Sequence, residues 1–249
     1  TVELVKQVAQ TSATELTCLT SRERPIVLVR KREESLLSPF VAPGNPCVGL
    51  MLPYSPLHYL LFQPEITEPA THPLQLLVMT SGNYSDEPIV KDNEEAYDRL
   101  ADLADAFLVH DRAIHVHCDD SVIRVWQEQQ MPIRRSRGYA PFPVKLPVTV
   151  GPMLAVGGEI KSTFCLAEGR HAFLSQHIGD MQNLETLQAF AGAVAHMGSI
   201  FRIAPETIAC DWHPAYLSTR WAEAEAQQQR RLVKVQHHHA HIASVMAEN

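Results

Sequence analysis

Short apolar runs alternating with amphipathic stretches predict an α/β protein, and a proline-rich zone divides it into two domains. Three observations carry this. Runs such as PIVLVR, Pro25 to Arg30, have the length and β-branched content of strands. The segment YAPFPVKLPVTVGP, Tyr139 to Pro152, holds four prolines and has little helix potential, which places a linker or boundary near 140–150. Beyond it, strand-like and helix-like segments alternate regularly to the end of the chain.

Before the proline zone, Cys47 to Leu52 and Leu76 to Met79 are further apolar runs, the second read as a strand. Asp92 to Asp105 reads as a helix. Asp92, with Glu95 three residues on, forms a plausible capping box, and Tyr97, Leu100 and Ala104 give one apolar face. Ala106 to His110 and Ser121 to Gln127 read as strands. After the zone, Met153 to Val156, Ser162 to Ala167 and His171 to Leu174 read as three short strands joined by glycine turns. Leu184 to Phe201 is a long helix, Ile208 to Asp211 a strand, Ser218 to Arg230 a helix and Leu232 to Val235 a strand. A helix then begins in the histidine run. The order β-β-β-α-β-α-β-α is that of the opening of an actin-like, sugar-kinase-like ATPase domain, a fold-level analogy.

The totals bound the function. At 249 residues, 45% hydrophobic and 20% charged, the chain is an ordinary globular protein of one large or two ordinary domains. A formal net charge of -7 argues against a nucleic-acid partner held by counterion release. No apolar run is long enough to span a membrane, and no signal peptide is visible. Cys18, Cys47, Cys118, Cys165 and Cys210 are scattered and odd in number, as in reduced cytoplasmic proteins, and Cys165 and Cys210 sit in apolar runs expected in the core. The chain starts at Thr1 and ends at Asn249 inside an apparent helix, which suggests a piece of something longer.

Several segments carry candidate chemistry. In TSGNYSDEP, Thr80 to Pro88, Gly82 permits close backbone approach, and Ser81 and Asn83 can bond a phosphate or nucleotide. An ordinary Ser-Gly-Asn turn fits too. In RRSRGYAP, Arg134 to Pro141, arginine forks suit phosphate or carboxylate, against a solvated basic patch. Asp119 and Asp120 of CDDSVIRVW either hold Mg2+ through water or form a turn, and the spacing does not decide. VGGEIKSTFCLA, Val156 to Ala167, is a glycine hairpin. In an actin-like fold Gly157, Gly158, Lys161, Ser162 and Thr163 would cradle phosphates; a plain turn is the alternative, and it is not a Walker A motif. Asp180 and Asn183 can cap the long helix, and Asp211 ends a strand where ligand loops often sit. His213 is either functional or a turn residue.

The run VKVQHHHAHIASVMAEN is the most informative. Residues four apart share a helix face, so His237 and His241 can offer two imidazoles to one metal, while His238 points about 100° away. Two ligands hold a metal weakly, so others must come from elsewhere. Solvated histidines at a helix end are the competing reading.

LVMTSGNYSDEPIV, HDRAIHVHCDDSVIR and RRSRGYAP resemble the YrdC-like domain of the hydrogenase maturation carbamoyltransferase (HypF) family. VGGEIKSTFCLAEG, SQHIGDMQNLET, CDWHPAYLSTRWA and VQHHHAHIASVMAEN resemble its TsaD-like domain. The resemblance implies a YrdC-like α/β domain over 1–145 and the first half of an actin-like (ASKHA) domain over 146–249, a central fragment. It implies that carbamoyl phosphate and ATP are converted through carbamoyl adenylate. The carbamoyl group then passes to the C-terminal cysteine of HypE, for the cyanide ligands of [NiFe] hydrogenase. ATP, Mg2+ and a transition metal, iron or zinc, are the implied cofactors. Ser81 and Asn83 match the family's nucleotide-contacting S-x-N element. Ser121, Arg124, Arg135 and Arg137 fall in segments lining the adenylate pocket. Gly158, Lys161 and Ser162 match the phosphate hairpin, and His237 and His241 the H-x-x-x-H metal pair. His239 stands where TsaD-like proteins carry glutamate. The family's acylphosphatase-like domain, its zinc-finger-like cysteines and the K-x-R element of YrdC-like domains are missing, and its later aspartate ligand lies beyond Asn249. An antibiotic O-carbamoyltransferase with a hydroxyl acceptor shares the domain pairing, and YrdC-like domains also occur as non-catalytic nucleotide- or RNA-binding modules. DDSVIR and RRSRGYAP favour the hydrogenase family over the first, and the acidic charge argues against the second.

Overall fold

The computed structural model describes residues 1–63, 74–84, 87–227 and 229–248. The chain opens with α1 (Val2–Val8), β1 (Ala9–Gln10), α2 (Ala13–Thr20), β2 (Ile26–Lys31), β3 (Cys47–Leu50) and α3 (Pro56–Leu61). It continues with α4 (Asn93–Leu100), β4 (Val122–Trp126) and β5 (Gln129–Arg134). The remainder is β6 (Pro143–Ala155), β7 (Cys165–Leu174), α5 (Leu184–Phe201), β8 (Thr207–Asp211), α6 (Leu217–Ala226), β9 (Arg231–Val235) and α7 (His237–Glu248). Both halves are mixed α/β, as the sequence predicts. Two compact units result: 1–80 with 120–139, and 81–119 with 140–249.

The first unit is built on a sheet in the order β1-β2-β4-β5, with β3 also paired to β2. Alternate residues of β2, Val27 and Val29, point into a core with Val8, Leu19, Val48 and Ile123. The helix α2 starts at a complete capping box. Ser12 Oγ accepts from Glu15 N at 3.1 Å, and the Ser12 N–H donates to the Glu15 carboxylate at 2.6 Å.

The second unit has the sheet order β7-β6-β8-β9. β7 is antiparallel to β6, while β8 and β9 run parallel to it. Parallel strands end on the same edge of a sheet, and that edge positions the candidate site below. The core joins strand residues Leu154, Leu166 and Ile208 to Phe164 and to Phe190 of α5. Phe190 meets Phe164 and Trp221 edge to face, at centroid distances of 5.5 and 5.2 Å.

Several expectations need correction. The three short strands after the proline zone are two long ones, because the chain around Gly169, in a left-handed conformation (φ 62°), stays in the ladder. The proline segment expected as a linker or boundary is no free linker, since β6 starts at Pro143. Proline lacks an N–H, and the β6–β7 register shifts between Lys145 and Val150, around Pro147. Arg170 donates side-chain hydrogen bonds to the carbonyls of Leu146 and Pro147 there. Leu76–Met79 and Ala106–His110 form no strands, since among the described residues no neighbouring backbone pairs with them. The helix expected over 92–105 stops at Leu100, and Asp92 makes no side-chain cap bond. The helix expected over 218–230 ends at Ala226. The long helix is capped by Asn183, whose Oδ1 accepts from Thr186 N at 2.8 Å. Asp180 does not share that task; it accepts from Lys161 N instead. α1, α2 and α3 have no counterpart in the sequence reading.

Burial raises the thiols of Cys18 and Cys210, and pushes Cys165 up to about 11. Among the described residues, no helix is long and apolar enough to cross a membrane.

Candidate metal and nucleotide site

β6, β8 and β9 all end at one edge, so the three segments that follow them converge. Asp211 ends β8 directly opposite Val235, the last residue of β9. His237, two residues further on, therefore reaches Asp211, and its Nδ1 lies 2.6 Å from Asp211 Oδ2. One turn along α7, His241 Nε2 lies 3.1 Å from His237 Nε2. Two imidazole nitrogens sharing a tetrahedral metal at the usual bond length stand about 3.3 Å apart, so the donor pair fits a metal such as zinc. His238 turns away and pairs with the side chain of Gln236 at 2.9 Å. Among the described residues, no group of three His, Cys, Asp or Glu side chains could hold a metal ion.

The hairpin from β6 to β7 closes on the same place. Val156 N donates to Ala209 O at 3.0 Å, continuing the β6–β8 pairing. Gly157 adopts a left-handed conformation, φ +73°, and a Cβ there would stand 2.3 Å from the Thr163 carbonyl oxygen. At Gly158 a Cβ would lie 3.9 Å from His237 Cε1, so the hairpin backbone abuts the ring. Lys161 is left-handed too, with φ 51°, and Ser162 is threaded through the loop at 177–181. Its N–H donates to Gly179 O at 2.7 Å and its carbonyl accepts from Ile178 N at 3.0 Å. The Ser162 hydroxyl is buried without a partner among the described residues. Glu159, whose importance sequence reasoning missed, accepts from Leu217 N at 2.8 Å and so caps α6, where Tyr216 makes no side-chain cap bond.

The loop after β8 is packed rather than loose. Asp211 Oδ1 accepts from His213 N at 2.9 Å. The His213 ring stacks on Tyr216 at 4.2 Å, and Tyr216 meets His237 edge to face at 6.4 Å. His213 is thus a turn residue that also supports the site.

A family model for the HypF Kae1-like domain matches residues 149–248, and the Sua5/YciO/YrdC model, described as telomere recombination, matches 1–136. The chain belongs to the HypF family. It is 49% identical to carbamoyltransferase HypF2 of Cupriavidus necator over 94% of its length, and 43% identical to carbamoyltransferase HypF of Rhizobium leguminosarum over 100%. It spans 30% and 32% of those relatives' own lengths. A crystal structure of full-length HypF in the phosphate- and nucleotide-bound form superposes on the whole chain with a TM-score of 0.89 at 44% identity, the chain covering 38% of it. The HypF of T. kodakarensis matches with a TM-score of 0.90 at 42% identity, over 100% of this chain and 32% of its own.

The remaining residues singled out by the HypF resemblance lie in both units. Ser81 is exposed, and Asn83 ties its own loop, its Nδ2 donating to the carbonyls of Tyr84 at 2.8 Å and Glu87 at 3.0 Å. Ser85 and Asp86 of that motif lie outside the described residues. Arg124 is exposed on β4 and Arg135 is half-buried. Ser121 is fully buried; its hydroxyl donates to Arg137 O at 3.0 Å and accepts from Ser136 N at 2.8 Å. Arg137 donates to Asp120 at 2.7 Å and to the carbonyls of Glu23 and Arg24, each at 2.8 Å, and its guanidinium lies 3.4 Å over the Tyr54 ring. Asp119 pairs with His177 at 3.2 Å. Both carboxylates of the Asp119–Asp120 pair are therefore engaged by side chains of the protein.

Burial, reinforced by Lys91, lowers His117 below the ordinary imidazole value of 6.5; Asp119 and Glu95 oppose the shift. The folded chain thus binds this proton less readily than the unfolded one. Stability from this residue is present at neutral pH and is lost as pH falls below about 6.5. Urea midpoints measured from about pH 7.5 to 5 should fall more steeply for the native chain than for His117→Gln. Equal slopes would refute the assignment.

Proposed function

We propose that this chain is the adenylate-forming and transfer portion of an ATP-dependent carbamoyltransferase of hydrogenase maturation. Residues 1–145 form its YrdC-like domain and 146–249 the first part of its TsaD-like domain. The observation that carries the reading is the convergence of the glycine hairpin with the Asp211–His237–His241 constellation at one strand edge, in a chain of the HypF family.

Carbamate derived from carbamoyl phosphate attacks the α-phosphorus of ATP through oxygen, and pyrophosphate leaves, giving carbamoyl adenylate. The thiolate of the HypE C-terminal cysteine then attacks the carbamoyl carbon, and AMP leaves with the electron pair of the broken bond. The HypF resemblance assigns Ser81, Asn83, Arg124 and Arg135 to nucleotide binding in the first step, with Mg2+ accompanying the phosphates. Ser121 and Arg137 support the fold of the first unit, since their polar atoms are already bonded. Gly158, Lys161 and Ser162 bind phosphate or adenylate in the second site. His237 and His241 hold a transition metal, iron or zinc, which when bound supplies Lewis-acid polarisation. The scattered, odd set of cysteines supports a reducing, cytoplasmic setting.

The test is transfer. With ATP, Mg2+ and radiolabelled carbamoyl phosphate, the full-length enzyme should release AMP and pyrophosphate and label the HypE C-terminal cysteine. Label on a hydroxyl acceptor in its place would transfer the reading to the antibiotic enzymes. For the first site, changing Ser81 and Asn83 together to alanine should weaken ATP binding about tenfold by isothermal titration, the worth of one or two lost hydrogen bonds. Unchanged affinity would sink that assignment.

A further inference from the structure

His237 needs a reason to be a good ligand, and the structure supplies one behind it. Its side chain is 44% exposed, while the Asp211 carboxylate it touches is only 7% exposed. Both carboxylate oxygens are held. Oδ2 faces His237 Nδ1 at 2.6 Å, and Oδ1 accepts the His213 N–H at 2.9 Å. The backbone behind them is fixed as well. Asp211 pairs with Val235 across the parallel ladder, and its carbonyl accepts from Thr219 Oγ at 3.2 Å. The carboxylate therefore has no free rotation by which to release the ring.

A carboxylate only accepts, so the proton between the two groups sits on His237 Nδ1. In the neutral ring this leaves the lone pair on Nε2, the atom that faces His241. Tyr216 hems the ring edge to face from the side. We propose that Asp211 is the positioning residue of the metal pair. It holds His237 in the Nδ1–H tautomer and aims Nε2 at the place of the ion. The inference rests on the metal reading of His237 and His241 but assigns a role to a third residue that is not itself a ligand.

The experiment uses Zn2+ alone, titrated into the full-length enzyme against a chromogenic chelator, and reads the zinc bound at this site against the His237→Ala, His241→Ala double variant as background. Asp211→Asn should weaken zinc binding 10- to 100-fold, the usual effect of losing a carboxylate behind a ligating histidine. His238→Ala should leave it unchanged, and His237→Ala with His241→Ala should abolish it. Independently of any variant, long-range proton–nitrogen correlation spectra of the metal-free chain should show His237 protonated at Nδ1. Asp211→Leu should move that proton to Nε2, with the thermal transition recorded alongside. A His237 found protonated at Nε2 in the native chain overturns the proposal, whatever the variants do. So does an Asp211→Asn chain that binds zinc as tightly as the native one while the double histidine variant does not. If native and double-variant chains bind zinc alike, the metal reading itself falls, and the proposal with it.

Discussion

Gly157→Ala is expected to cost the second unit about 3 kcal/mol and to lower its thermal transition by on the order of 10 °C. Two effects combine. At φ +73° an alanine is in a conformation that L-residues avoid, which by itself costs about 1–2 kcal/mol. The new Cβ would also stand 2.3 Å from the Thr163 carbonyl oxygen, a backbone atom that cannot rotate away. The hairpin must open to admit it. Opening loosens the Ser162–Gly179 and Ile178–Ser162 hydrogen bonds and draws Gly158 away from His237. Zinc affinity should therefore fall with stability. Calorimetry of the variant checks the first effect, and a midpoint within about 2 °C of the native chain would refute it.

Arg137→Ala should destabilise the first unit by about 3 kcal/mol. The guanidinium spends its donors on Asp120, on the Glu23 and Arg24 carbonyls, and stacks on Tyr54. Truncation leaves a carboxylate about one-quarter exposed without its cation, and two carbonyls without a donor. Lysine keeps the charge but not the planar fork, so Arg137→Lys should recover less than half of the loss. Denaturant unfolding of the three proteins decides. Full rescue by lysine would mean that charge alone matters at this position. If Arg137 instead served chiefly as a nucleotide contact, both variants would lose ATP binding with little change in stability.

What could be read from sequence was local. The bounds of α5, Leu184–Phe201, are legible because an apolar periodic run follows an asparagine suited to capping. The pairing of His237 with His241 is legible because helical spacing alone sets it. The failures come from non-local pairing. Leu76–Met79 and Ala106–His110 have the composition of strands, but a strand exists only where another backbone bonds to it. That Arg137 is held by the carbonyls of Glu23 and Arg24 is not legible either, because they are far away in the chain. Asp211 stands out only as a strand end; its contact with His237 follows from the β8–β9 register, which no local spacing encodes. One miss was legible: the capping box of α2, written as Ser12 and Glu15.

That register also frees part of the chain from the site's tolerances. Asp211 and His237 face each other because two ladder partners, Asp211 and Val235, are adjacent, not because α6 has a given length. The helix between them is a spacer whose far end, at Ala226, bears no distance that the imidazole must keep. Insertions there should be accepted as long as the ladder re-forms, making this turn the place to graft a reporter or affinity module while the histidine stays against its carboxylate. Shifting β9 by a single residue, by contrast, would carry the histidine pair out of reach with no change in composition at all.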